Sequence, residues 1–184
     1  MTIELVVPAL AHLPSYAAAL ERGWSPDNMR DVSGEQRDQI SKDPTGFLAS
    51  QDDPEARAGP VVLPDGSSVP RLPSIRRWIW DGAFCGSIGL RWQSGTSDLP
   101  PSALGHVGFA VVPWKRNRGH ATRALALLLP EARARGLDHV EVTADPEKLA
   151  SQRVITANGG RLIERFRKPA AYGGTESLRF RIDL

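Results

Sequence analysis

The stretch from His106 to Arg123, HVGFAVVPWKRNRGHATR, constrains this chain more than any other. Val107, Phe109, Ala110, Val111 and Val112 favour an extended, mostly buried segment, and Pro113 stops its ladder because it has no amide to donate. From His120 onward the apolar spacing becomes helical, with Ala121, Ala124, Leu125, Leu128 and Ala132 on one face. Between strand and helix lies Arg116-Asn117-Arg118-Gly119-His120-Ala121, a basic turn of the form R-x-x-G-x-A. Such a turn aims unpaired amides, backed by the helix dipole, at whatever sits before the helix. An anion is the natural guest, and a diphosphate suits it well. Spacing alone also allows an ordinary connection carrying surface arginines. Neither the G-x-G-x-x-G dinucleotide fingerprint nor the G-x-x-x-x-G-K-[ST] triphosphate loop is present.

A chain of 184 residues suits a single domain spanning 1–184, with a core large enough to need no staples. Hydrophobic content of 41% and charged content of 24% are those of an ordinary globular protein. A net charge of +2 is too small to argue for a nucleic-acid partner, although Lys115, Arg116, Arg118 and Arg123 form a short basic cluster. The single cysteine, Cys85, excludes an intrachain disulfide and any cysteine-rich metal site, so no metal is expected. Its apolar surroundings read as those of a buried structural thiol. No run approaches the roughly 20 apolar residues of a membrane helix, and no charged-then-apolar leader opens the chain. A cytoplasmic protein without a membrane partner is the expectation.

Read in order, Ile3 to Val7 suits a first strand, and Pro14 sits in the first turn of a helix that Gly23 ends. Ser33-Gly34-Glu35-Gln36 has the form of a capping box opening a second helix, which Asp43-Pro44 interrupts. Residues 51–73 are rich in Pro, Gly, Asp and Ser, with Asp65-Gly66 as a turn signal, and suit a hairpin or irregular excursion. Residues 75–80 and 84–92 read as strands joined by a two-residue turn at Asp81-Gly82. The helix after the glycine turn should run over about 120–135, with a kink or break at Pro130, and end at Gly136. A strand follows at 139–144, then a helix that Asp145 caps and Gly159-Gly160 ends. Strands at 161–163 and 178–183 close the chain.

The turn resembles the acetyl-CoA pyrophosphate loop of the GNAT superfamily of N-acyltransferases, whose pattern is [QR]-x-x-G-x-[GA] after a strand often ending in V-x-P. VVPWKRNRGHA fits it at each defining position. A second likeness is Lys148-Leu149-Ala150-Ser151 followed by Ala157-Asn158-Gly159-Gly160, similar to that family's N-x-[AS]-S helix start and glycine ending. The resemblance runs from about residue 75 to the end. It implies an α/β (α+β) fold with a mixed, mostly antiparallel central sheet of six to seven strands, flanked by about four helices.

The resemblance also implies chemistry. Acetyl-CoA, as cosubstrate, would be held by its pyrophosphate at Arg116, Asn117, Arg118, Gly119, His120, Ala121 and Thr122. Its pantetheine arm would lie along the backbone of Ala110, Val111 and Val112, with the Val111 N–H as oxyanion donor. A general base must take the acceptor amine's proton, and His106 occupies the right neighbourhood, although a structural hydrogen bond is an equal reading; Glu141 is a second candidate. The family's usual leaving-group tyrosine is replaced by Ile155, so Ser151 or solvent would protonate the thiolate, and Lys148 stands where many relatives have Asn.

The function so implied is acetyl transfer to a primary amine of a small molecule or peptide. The alternative is a catalytically degenerate CoA-binding sensor or interaction module. Acceptor choice would rest on residues 24–50, 51–73 and 165–176, where no motif is legible, with Trp24, Trp92, Trp114 and Tyr172 either lining a cleft or packing. Homodimers are frequent in the family, and one is compatible with this chain.

Overall fold

The computed structural model describes residues 2–27 and 30–184. In chain order the elements are β1 (Glu4–Val6), α1 (Leu13–Glu21), α2 (Ser33–Lys42), α3 (Pro44–Ala49), β2 (Val61–Val62) and β3 (Ser68–Val69). They continue with β4 (Ser74–Trp80), β5 (Phe84–Arg91), β6 (Val107–Val111), α4 (His120–Arg133), β7 (His139–Ala144), α5 (Leu149–Thr156), β8 (Arg161–Arg167) and β9 (Glu176–Asp183). One-turn 3-10 helices lie at Pro113–Lys115 and Ala170–Tyr172.

The mixed α/β class expected from the sequence is present, with two differences. In place of one sheet of six to seven strands there is a four-stranded sheet ordered β1-β4-β5-β6 and a three-stranded sheet ordered β7-β9-β8. Every ladder among the described residues is antiparallel, including the small β2–β3 ribbon around Asp65-Gly66. Among the described residues there are five α-helices rather than about four.

A continuous core joins the two sheets. Ile75, Ile79, Cys85, Ile88 and Leu90 from the first meet Val140, Val142, Leu178, Phe180 and Ile182 from the second, beneath Ala124, Leu125, Leu128 and Ala132 of α4. Because side chains alternate across a pleat, Trp78 and Phe84 face the other way. There they pack with Tyr16, Leu20, Trp24 and Phe47 from the N-terminal helical segment. Tyr16 stacks on Trp78 at 4.4 Å, with Phe84 edge-on at 5.0 Å. Trp24 and Trp92 are therefore core residues and line no cleft.

Local signals were overridden in four places. The capping box at Ser33 does not form: Ser33 is already helical behind the N-cap Val32, Gln36 accepts from the Tyr16 hydroxyl, and Asp31 accepts from the Ser33 amide at 2.8 Å. The β4–β5 connection has three residues, since Trp80 pairs with Phe84 and Ile79 with Gly86, leaving Cys85 bulged. α4 runs unbroken through Pro130, which is exposed while the opposite, apolar face is held in the core; packing of that face outweighs one missing amide. Asp145 does not cap α5, which starts at Leu149; its carboxylate binds Lys148 and Lys168 instead. No helix among the described residues is long and apolar enough to cross a membrane.

Candidate functional site

The two sheets part at the outer edge of β6. Val112 donates to the Cys85 carbonyl at 2.9 Å, and Arg91 donates to the His106 carbonyl at 2.8 Å. In an antiparallel ladder of this register, alternate residues point their polar groups at the partner strand. Val112, Ala110 and Gly108 are therefore committed to β5, and Val111, Phe109 and Val107 turn their N–H and C=O groups outward. No ladder joins β6 to β7. Of Ala110, Val111 and Val112, the three residues expected to offer backbone to an added arm, the alternation turns Ala110 and Val112 toward β5 and leaves Val111 facing outward.

His106 stands where the sheets meet. Its amide donates to the Glu141 carbonyl at 2.7 Å, and its Nδ1 accepts from the Glu141 amide at 2.9 Å. With its carbonyl given to β5, one residue clasps both sheets. The side chain is wholly buried, and burial lowers its pKa to about 4, the nearby Glu141 carboxylate opposing only in part. A neutral imidazole that accepts at Nδ1 carries its proton on Nε2. Such a ring has no free lone pair to offer, so His106 is a structural clasp here and not the general base. Glu141 is no base either. Burial alone would raise its pKa, yet hydrogen bonds from Arg181 at 2.7 Å and Arg179 at 2.8 Å outweigh this and hold it below the usual carboxylate range.

Beyond Val112 the chain makes the Pro113–Lys115 turn and then bends sharply. Asn117 has φ +59° and Gly119 φ +76°, both left-handed, with Arg118 between them. Alternating backbone hand of this kind gathers successive amides into a concave, anion-accepting surface. Gly119 is the N-cap of α4, and no side chain caps that helix. Among the described residues no protein acceptor is found for the amides of Asn117, Arg118, Gly119 and His120, and those of Ala121 and Thr122 belong to the unsatisfied first turn. Residues 116–119 are exposed. Arg116 donates from Nε to the Val111 carbonyl at 3.2 Å, linking the turn to the free edge of β6, while the Arg118 side chain points into solvent.

Other predicted residues lie elsewhere. Ser151 is half-buried in the first turn of α5. Ile155 is fully buried, and Gly160 lies so close that a Cβ there would meet Ile155 Cγ2 at 2.4 Å. Lys148 is bound to Asp145 at 3.1 Å. Tyr172 donates to the Ser102 carbonyl at 2.6 Å, and Trp114 lies under the Arg22 guanidinium at 3.6 Å. The expected acceptor region 24–50 includes residues 28 and 29, outside the described residues.

Sequence reasoning missed what three residues do, although Asn158 lies in the second motif and Asp81 in a turn. Gly86 sits opposite Val111, where a Cβ would lie 2.1 Å from the Ala110 carbonyl oxygen; a glycine inside an apolar strand is the signal that marks such close approach. Asn158 donates to the Thr122 carbonyl at 3.1 Å, tying the end of α5 to the first turn of α4. Asp81, read only as a turn residue, reaches Lys115 and His120 on either side of the basic turn.

The sequence of residues 69–161, half of the chain, matches the family described as the acetyltransferase (GNAT) domain. The chain belongs to that family. None of the curated proteins matches it. Solved structures with the GNAT architecture include Mycobacterium smegmatis RimJ in complex with CoA-disulfide, at 18% identity and TM-score 0.67, covering 98% of this chain and 81% of that one. RimL, a ribosomal L7/L12 alpha-N-protein acetyltransferase in complex with coenzyme A, is similar at 12% identity and TM-score 0.63, with 100% and 95% covered. MccE, a microcin C7 self-immunity acetyltransferase in complex with acetyl-CoA and AMP, gives 11% and 0.63, with 99% and 92% covered. At these identities the likeness speaks for the GNAT fold alone.

Proposed function

We propose that this GNAT protein is an acetyl-CoA-dependent N-acetyltransferase of the cytoplasm, acting on a primary amine of a small molecule or a peptide. The observation that carries the reading is the continuity between the outward Val111 N–H on an open strand edge and the uncapped turn just beyond it. One extended cofactor reaches both. The amides from Asn117 to Thr122 receive the pyrophosphate, with Arg116 and Arg118 adding positive charge. The pantetheine arm lies along the outward edge of β6, and Val111 N–H donates to the thioester oxygen. A preorganised donor of this kind is worth about 3 kcal/mol in the transition state.

The neutral amine attacks the thioester carbon; a C–N bond forms, the C–S bond breaks and the acetamide leaves with CoA thiolate. With His106 and Glu141 committed to structural bonds, the amine's proton passes to water. The thiolate takes a proton from solvent or from Ser151, and a thiol pKa of roughly 8.5 makes a dedicated acid dispensable. The acceptor chemistry is supported by relatives of the same fold, one of them named for acetylating a protein α-amine. A homodimer is compatible with this scheme.

A second reading, a CoA-binding sensor without turnover, is favoured by the burial of Ile155 and the capture of Lys148 by Asp145. Calorimetry with acetyl-CoA followed by thiol release over a panel of small amines and N-terminal peptides separates them. Binding with thiol release on at least one amine is expected. Absence of acetyl-CoA binding defeats both readings, and binding without release on any amine leaves the sensor.

A further inference from the structure

The most unusual group of side chains outside the transfer site lies directly beneath its basic turn. Asp81, in the β4–β5 connection, is largely buried, with 13% of its side chain exposed. Its Oδ1 accepts from Lys115 Nζ at 2.6 Å, and its Oδ2 lies 3.6 Å from His120 Nε2. Lys115 also approaches Cys85 Sγ at 3.5 Å. His120 is buried, and neither of its ring nitrogens has a hydrogen-bond partner among the described residues. Burial lowers the His120 pKa, the Asp81 charge opposing and the Lys115 charge assisting the fall. Burial also pushes the Cys85 thiol up to about 11.

Asp81, Cys85 and His120 could in principle surround a metal ion, their ligand atoms lying within 4.8 Å of one another. The Lys115 ammonium already supplies the positive charge at this place. A divalent ion would have to expel it and sit beside a second cation, which a largely buried site resists. The group is a closed charge arrangement, and its placement is what matters. Lys115 is the last residue before the turn and His120 the first residue of α4. One carboxylate therefore bonds one flank of the stretch whose amides face outward and lies 3.6 Å from the other, and it belongs to a hairpin of the four-stranded sheet.

We propose that Asp81 is a positioning residue for cofactor binding, acting through Lys115 and His120 to hold the 116–119 turn in its anion-accepting form; this rests on the reading of that turn as the acetyl-CoA pyrophosphate site. Asn117 and Gly119 are residue types that tolerate the left-handed backbone they adopt, but both populate other conformations as well, so tolerance alone does not fix the turn. Fixing both ends lowers the cost of ordering the turn when the ligand arrives. The same pairing keeps the Asp81 charge from opposing a phosphate, and it withdraws Lys115 from solvent. Lys115 is thus a strut for the turn and not a direct phosphate ligand.

Asp81→Asn and Lys115→Met, alone and combined, test this with acetyl-CoA titration and steady-state kinetics in the full chain. Wild-type binding of acetyl-CoA is the control; if wild type does not bind, the cofactor reading itself fails, independently of Asp81. Given wild-type binding, each single variant should raise Kd and KM for acetyl-CoA about tenfold, with kcat at saturation within about twofold. The double variant should cost no more than the worse single one, because both break one linkage. Asp81→Glu, which keeps the charge, should recover most of the loss. An unchanged KM in the folded single variants, a loss confined to kcat, or additive losses in the double variant would each overturn the proposal. Far-ultraviolet dichroism and melting temperature establish that the variants are folded; should Asp81→Asn fail to fold, Lys115→Met and the Asp81→Glu comparison carry the test alone.

Discussion

Burying an imidazole costs most when it is charged, and His106 is buried completely. Its folded pKa of about 4 lies below the ordinary histidine value of 6.5, so between those two pH values the unfolded chain binds the extra proton. Stability then rises with pH across that window, is complete above pH 6.5, and falls as acid is added toward pH 4. The full span amounts to about 3 kcal/mol. Denaturant unfolding of wild type at intervals from pH 4 to 7 should show this slope, and His106→Asn, whose Oδ1 can still accept from Glu141, should flatten it. An undiminished slope in the variant would assign the acid sensitivity to another group. Kinetics give the complementary check. If water takes the amine's proton, kcat/KM should climb with pH along the acceptor's own titration, and a folded His106→Asn variant should keep that profile. Loss of an enzyme group titrating near neutrality in the variant would restore His106 as a base. The sequence placed His106 correctly beside the central strand and left base and structural bond equally open; what it could not convey was that the nearest strand would deliver an amide to Nδ1, a fact of tertiary register.

Two glycines bear on the proposed cofactor site, and their surroundings are opposite. At Gly119 an added Cβ meets nothing in the protein within 4 Å, so the side chain would project toward the space left for an anion. Gly119→Val should cost stability of roughly 1–2 kcal/mol from its φ of +76° and weaken acetyl-CoA binding at least tenfold by calorimetry. Unchanged affinity would place the phosphates elsewhere. At Gly86 the space is already full: a Cβ would press on the Ala110 carbonyl at 2.1 Å and on Val111 Cα at 2.8 Å, and φ is +152°. Both atoms are backbone, so relief requires moving β6 itself. Gly86→Ala should therefore destabilise the fold by about 2 kcal/mol or more and, where it folds, lower kcat by disturbing the Val111 donor. A folded variant with wild-type kcat would remove Val111 from the transition-state account. The glycine turn that opens α4 was legible because R-x-x-G-x-A is a local pattern. The strand glycine was not, since its constraint comes from the β6 backbone at Ala110 and Val111, distant in sequence and brought close only by the β5–β6 pairing. Helix starts failed for the same reason: Gln36 and Asp145 found partners across the fold that outbid their local caps.

For the molecule as a whole, strand order and helix order followed from periodicity and turn chemistry, because most of the longer elements carry an apolar face into one of two buried clusters. The division into two sheets could not be read, since pairing between β6 and β7 depends on which edge each strand presents. That division makes a mechanical prediction. Among the described residues the sheets are bridged at backbone level by His106 and Glu141, and beyond that point the outward amides of Phe109 and Val111 face no strand. An acyl-pantetheine arm lying there would act as a missing strand, as extended peptides do when they add to a sheet edge. Hydrogen exchange should accordingly slow on acetyl-CoA binding at Val111 and across the Asn117–Thr122 amides. It should be unchanged along β8, which is paired only with β9 and whose Arg161, Glu164, Arg165 and Arg167 keep its outer edge from attracting another strand. Protection confined to the turn would mean that the arm leaves β6 free and that Val111 is not the oxyanion donor. Protection along β8 instead would mean that the ligand's effect reaches the other sheet, through the His106 clasp or through association of two chains at that edge, and repeating the measurement at a tenfold lower protein concentration distinguishes these, because only association weakens on dilution.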